Sequence, residues 1–295
     1  MYIFKSKSGL FVMENQRTLA GTAKISGIAL HSGMRVTVRV HPGEENTGIV
    51  FRRVDLPGAP EVQAIASNVV EVQRGTTIAS GEARVYTVEH IMSALHAMHV
   101  DNCVVEMDGM EPPICDGGAL PFLDMICEAG VAEQSAPAKY FTPAAPAAVV
   151  LGGARVVIIP DPEKLRISCV TSFRGCPFDP QFQEFEFGDS EKYRAEIAPA
   201  RTFVDYGDLK MLLSVGLCKG GSLDAAAIIH DGAIICKDKL RFTDEIVRHK
   251  ILDIIGDLYL IGRRVTGTVV AVKSGHPSHV MLSGKLLAEL VASGK

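Results

Sequence analysis

The order of residue patterns along this chain predicts an α+β fold of two similar domains, on three observations. Strand-like runs gather ahead of helices in each half of the 295 residues and do not alternate with them one for one, which favours α+β over a doubly wound parallel sheet. A stretch of small residues and prolines, Ala129 to Pro146, interrupts the periodic pattern near the middle. Each half also holds one apolar helix broken by imidazole and carboxylate side chains. The expectation is an N-terminal extension over 1–15, domain I over 16–138 and domain II over 139–295. Each domain is a β-sheet layer packed with helices, and the functional site lies where they meet, a common place for pockets.

Taken in order, the first dozen residues, MYIFKSKSGLFV, contain two lysines and no apolar run long enough for a signal peptide. Met13 is a second candidate start, and the segment receives no function. Strands are expected at Arg35 to Val40 and Gly48 to Arg52. From Thr87 to His99, Val88, Ile91, Met92, Leu95 and Met98 recur at helical spacing, with Thr87 as the N-cap. A strand at Asn102 to Glu106 and a helix near Leu120 to Glu128 follow. In the second half, strands are expected at Val149 to Ile159, Arg166 to Thr171 and Thr268 to Lys273. Tyr206 to Ala225 suggests a short amphipathic helix ending at Gly220 and Gly221, a pair that fits no phosphate-loop pattern. A longer helix is expected from Asp244 to Gly262.

Hydrophobic residues make up 47% and charged residues 22%, the balance of a soluble globular chain. A net charge near −4 gives no electrostatic case for nucleic acid. No stretch is apolar enough to span a bilayer, so stable membrane insertion is not expected. The seven cysteines form no CxxC pair and are odd in number, which fits reduced thiols and a cytoplasmic setting. Nothing calls for an oligomer, and a monomer is the expectation.

The chemistry concentrates on the two broken helices. In DEIVRHKILDIIGDLYLIG, His249, Asp253 and Asp257 fall at i, i+4 and i+8, so one face of a buried helix carries an imidazole and two carboxylates that need partners. One reading is an ordinary helix whose acids meet solvent or pair with Arg248 and Lys250. The other is a divalent cation taking one nitrogen and one oxygen ligand, with a further ligand from elsewhere. Glu89 and His90 supply the second set. At the start of a helix the dipole disfavours an imidazolium and tolerates a carboxylate. Neighbours there point about 100° apart, so His90 can bind metal while Glu89 reaches a water.

These residues, with QRTLAGTAKISGIALHSG, NTGIVFRR, TVEH, VDN, PPICDGGALPF, ARTF, VRHKILDIIGDLYLIG and KSGH in order, make the chain resemble the UDP-3-O-acyl-N-acetylglucosamine deacetylase family nearly from end to end. The resemblance implies a Zn²⁺-dependent amidohydrolase, with Fe²⁺ an alternative ion in the cell. It would remove acetate from UDP-3-O-(3-hydroxyacyl)-N-acetylglucosamine in the committed step of lipid A biosynthesis. His90, His249 and Asp253 resemble the metal ligands and Glu89 the general base. His276 resembles the protonated histidine that serves the leaving amine, Asp257 the carboxylate that orients it, and Thr202 the hydroxyl that holds the oxyanion. Phe203 resembles the aromatic beside the sugar, and Lys250, His31 and Lys273 are candidates for the diphosphate.

By the same resemblance, the segment from Tyr206 belongs to a βαβ insert in the second domain. Its Leu209, Leu212 and Leu217 would line a passage for the acyl chain. One departure stands out: Asp205 lies two positions after Phe203, where an apolar or aromatic residue is usual, which puts the shape of the entrance in doubt. Two other readings stay open: a binding protein without turnover, and a hydrolase of another N-acetylated sugar.

Overall fold

A computed structural model describes residues 3–6, 9–12, 14–173 and 175–294. Met13 lies outside them, and Ile3–Ser6 pairs with Gly9–Val12 as a hairpin. Six α-helices occur among the described residues: α1 (Glu89–Ala97), α2 (Leu120–Ala129), α3 (Ser190–Glu196), α4 (Tyr206–Ser214), α5 (Glu245–Tyr259) and α6 (His276–Ala292). The fold is α+β, with no closed barrel among these residues.

Two five-stranded sheets repeat one topology. The first runs Ala23–Ile28, Arg35–Pro42, Cys103–Met107, Ile49–Arg53, Glu61–Gln63, and the second runs Ala147–Leu151, Ala154–Ile159, Gly267–Val272, Leu165–Thr171, Gln181–Glu186. In both, the central strand comes last in sequence and pairs antiparallel on one side and parallel on the other. Alternating burial, as in Leu165–Thr171, gives each sheet one face for the core. Against these faces pack α1, buried along its whole length, and α5, buried at thirteen of fifteen positions. A helix apolar on all sides is a central one.

The two helices approach closely because α5 carries Gly256 at the crossing. A Cβ there would lie 2.1 Å from the carbonyl oxygen of Glu89. The insert is a βαβ unit, with Thr202–Asp205 parallel to Ala226–His230 and α4 between them. Its Gly220 docks on the first half, where a Cβ would meet the Ala29 oxygen at 2.1 Å.

Three expectations are corrected. Val149 to Ile159 is not one strand but a hairpin, because Gly152 and Gly153 turn the chain and Gly152 takes a positive φ. Thr87 does not cap α1. It sits at φ 54°, its hydroxyl donates to Glu111 Oε1 at 3.1 Å, and Val88 is the N-cap. Part of the Ala129 to Pro146 stretch is regular strand, since Val131–Pro137 pairs antiparallel with Asn15–Leu19.

Candidate active site

His90 opens α1 beside Glu89, and His249 and Asp253 lie one turn apart on α5, so the close helix crossing brings three ligand atoms within 4.8 Å of one another. The two imidazoles meet edge to face with centroids 5.1 Å apart. His249 Nδ1 donates to the Ala200 carbonyl at 2.9 Å, because a carbonyl can only accept. In the neutral ring this leaves the Nε2 lone pair facing Asp253 Oδ1 at 3.5 Å. Neutrality is the favoured state: burial lowers the pKa of both rings, that of His90 to about 3 with the help of nearby His249. Asp253 is held ionised, since Lys250, His249 and His276 outweigh the effect of its burial.

Asp253 Oδ1 and His90 Nδ1 are both buried without a hydrogen-bond partner. Asp253 Oδ1 and the His249 Nε2 lone pair, two acceptors 3.5 Å apart in a dry interior, are unfavourable neighbours unless a cation lies between them. The donor set, two imidazoles and one carboxylate with the His249 ring oriented from behind by a carbonyl, fits a divalent ion of the zinc type.

Around this triad stands a second set of groups. Glu89 Oε2 accepts from the Thr76 amide at 2.9 Å. Burial, assisted by Asp257 and Asp253 and opposed by His276, raises the Glu89 pKa to about 7. His276, at the first position of α6, donates through Nδ1 to Asp257 Oδ2 at 2.9 Å. Its Nε2 lies 3.8 Å from both Glu89 Oε1 and Asp253 Oδ2. Burial alone would lower the His276 pKa, but Asp257, Asp253 and Glu89 together raise it to about 9. Asp257 is fully buried, and its Oδ1 accepts from Thr76 Oγ1 at 2.6 Å. Its Oδ2 takes a second imidazole, His279 Nδ1, at 3.0 Å, and His279 Nε2 in turn accepts from Ser274 Oγ at 2.9 Å.

Thr76, Ser274 and His279 join the site through contacts that sequence patterns alone do not assign. Ser274 lies inside the KSGH motif and His279 stands three residues after His276 on what proves to be one helix, whereas no local pattern marks Thr76.

Two cavities meet at this site. One, of about 350 Å³, is lined by the triad, Glu89, His276, Lys250 and Lys273. The other, of about 250 Å³, is lined mainly by apolar side chains, among them Leu209, Leu212, Leu213 and Ile228. Leu30, Arg74, Thr202 and Phe203 line both.

The remaining candidates distribute unevenly. His31 is on the wall of the apolar cavity, with its ring Nδ1 3.7 Å from Cys218 Sγ. Lys250 Nζ donates to Asp253 Oδ2 at 2.7 Å and sits 5.2 Å over the Phe203 ring. Leu217 lines neither cavity; its amide donates to the Leu212 carbonyl at the end of α4. Asp205 also lines neither, because its carboxylate caps α4 by accepting from the Gly207 amide at 2.8 Å.

The model of the UDP-3-O-acyl N-acetylglycosamine deacetylase family matches residues 16–288. The chain belongs to this family. It is 44% identical over 276 residues to the UDP-3-O-acyl-N-acetylglucosamine deacetylase of Geobacter sp. (strain M21), covering 94% of this chain and 88% of that protein. To the enzyme of that name from Myxococcus xanthus (strain DK1622) it is 42% identical, over 93% of this chain and 87% of the relative. To that from Chlamydia felis (strain Fe/C-56) it is 41% identical, over 93% and 98%. The match spans both α1 and α5, so the whole metal triad lies within the deacetylase family region. Among the described residues no helix is long and apolar enough to cross a membrane, and all seven cysteines are free.

Proposed function

We infer that the chain hydrolyses the acetamide of UDP-3-O-(3-hydroxyacyl)-N-acetylglucosamine to acetate and the free amine, the committed step of lipid A biosynthesis. One observation carries this reading beyond the family. Three buried ligand atoms converge in a cavity that shares a wall with an apolar one, as a substrate with an acetamide at one end and an alkyl chain at the other requires.

His90, His249 and Asp253 hold the ion, Zn²⁺ by the chemistry of the donor set, with Fe²⁺ the alternative in the cell. When bound, it lowers the pKa of a water and polarises the acetamide carbonyl. Glu89 takes the proton of the attacking water. Thr202, on the wall common to both cavities, donates to the carbonyl oxygen as it gains charge. Cationic His276, held and oriented by Asp257, delivers a proton to the departing nitrogen, which leaves as the sugar amine.

Phe203 contacts the sugar, and Lys250 and Lys273, which line the cavity together with Arg74, serve the diphosphate with His31. Leu209 and Leu212 contact the acyl chain, while Leu217 shapes that wall through the last turn of α4. The working unit is one cytoplasmic chain, because both metal-binding helices come from the same copy. Its two units divide at 138/139, a division supported by the repeated sheet topology.

The test compares acetate release from the 3-O-acylated nucleotide sugar with release from UDP-N-acetylglucosamine. Each buried methylene contributes about 0.8 kcal/mol, so loss of the chain should lower kcat/KM by orders of magnitude. Equal turnover of the two would leave a metal-dependent sugar deacetylase without a lipid function.

A further inference from the structure

We propose that Arg74 is a specificity-determining residue that reads the oxygen-bearing head of the acyl chain where the two cavities join. This rests on the function proposed above. With the acetamide at the triad and the alkyl chain among the leucines, the ester linking them must pass the wall common to both cavities, formed by Leu30, Arg74, Thr202 and Phe203. Only Arg74 and Thr202 bring polar side-chain atoms to that wall. Among the described residues, Arg74 is the only permanently charged side chain lining the apolar cavity.

Arg74 reaches this wall from the solvent side, its side chain 38% exposed, so its guanidinium keeps part of its hydration. Asp208 on α4 supplies a partner, accepting from Arg74 Nη2 at 2.6 Å across 134 residues of sequence. That bond fixes one edge of a planar group with five N–H donors and leaves the fork anchored. The backbone is committed to the same position. Arg74 stands at φ 62°, a conformation uncommon outside glycine, and its carbonyl accepts from His31 Nε2 at 3.4 Å. The next residues are tied to the catalytic groups, since Gly75 lies against Glu89 and Thr76 binds both Glu89 and Asp257. A donor fork aimed by Asp208 from a fixed backbone position at the junction matches the ester carbonyl and the 3-hydroxyl of the acyl head, both of them acceptors.

The experiment measures kcat and KM for acetate release on three nucleotide sugars: the 3-hydroxyacyl ester, its analogue lacking the 3-hydroxyl, and its ether analogue lacking the ester carbonyl. The wild-type protein should discriminate against at least one analogue by roughly ten- to hundred-fold, the size of a hydrogen bond to a charged group. Arg74→Met keeps the length of the stem and removes the donors. It should erase that discrimination chiefly through KM, with metal content unchanged.

A structural role would instead lower turnover of all three alike, and that outcome, or full discrimination in Arg74→Met, overturns the assignment. If Arg74→Met does not fold, Asp208→Asn decides. Loosening the anchor should reduce discrimination several-fold, and unchanged discrimination rejects the proposal. Absence of acetate release by the wild type on the 3-hydroxyacyl ester would remove the underlying function, and this proposal with it. Normal release with no effect of Arg74 removes only the proposal.

Discussion

Replacing Gly256 by alanine tests how the helix crossing makes the site. In an open helix this change stabilises by about 1 kcal/mol, since glycine is the poorer helix former. Here the added Cβ would lie 2.1 Å from the Glu89 oxygen, 2.9 Å from its carbonyl carbon and 3.0 Å from its Cα, all of them backbone atoms that no rotamer change can move. Ordinary contact begins near 3.4 Å, so α1 and α5 must part by about 1 Å. Overpacking of this kind costs about 1–3 kcal/mol or more, which outweighs the propensity gain and should lower the melting temperature by a few degrees.

The displaced segment carries Glu89 and His90, and a misplacement of about 1 Å can cost 10²-fold in rate. Calorimetry with acetate-release kinetics checks both effects. Gly284→Ala on α6, where a Cβ meets nothing within 4 Å, is the control and should be neutral to stabilising. A Gly256→Ala protein as stable and as active as the wild type would refute the geometry.

Glu89→Gln should retain the metal, measured by elemental analysis, and lose on the order of 10²-fold or more in kcat; loss of metal with activity would make Glu89 a ligand. The rate should be bell-shaped in pH, because Glu89 must be deprotonated and His276 protonated. Activity therefore rises as pH climbs through the Glu89 pKa, raised to about 7, and falls through that of His276, raised to about 9. A bound divalent cation moves both limbs toward acid, and His276→Asn should lower kcat strongly and remove the basic limb contributed by this ring, as a pH–rate profile would show. Glu245→Ala should destabilise by about 3–5 kcal/mol in denaturant titration, because it strands the buried Arg201 guanidinium that Glu245 binds at 2.8 Å.

The metal triad was legible because its spacing is local. His249 and Asp253 are one turn apart, and a buried polar stripe on an apolar helix advertises a partner. The strands bordering α1 and α5 were legible from alternation and β-branched content. What the sequence hid depends on contacts distant in sequence. Thr87 has the right residue type for a cap, but Glu111 draws its hydroxyl away. Val131–Pro137 looks like a linker until Asn15–Leu19 pairs with it. Thr76 reaches Asp257 across 181 residues, and no local pattern marks it. Asp205 lay within reach of sequence reasoning, since an aspartate before a helical run is a strong N-cap signal; its carboxylate is engaged in capping α4.

Deacetylation by this chain should depend on one ion held by His90, His249 and Asp253 between α1 and α5. The most direct measurement adds Zn²⁺ in steps to metal-free protein while following acetate release from UDP-3-O-(3-hydroxyacyl)-N-acetylglucosamine. Release should be absent without metal, fully restored at one equivalent per chain, and not restored at that level in His249→Ala. Full activity of the metal-free protein, or of His249→Ala without bound metal, would contradict this dependence.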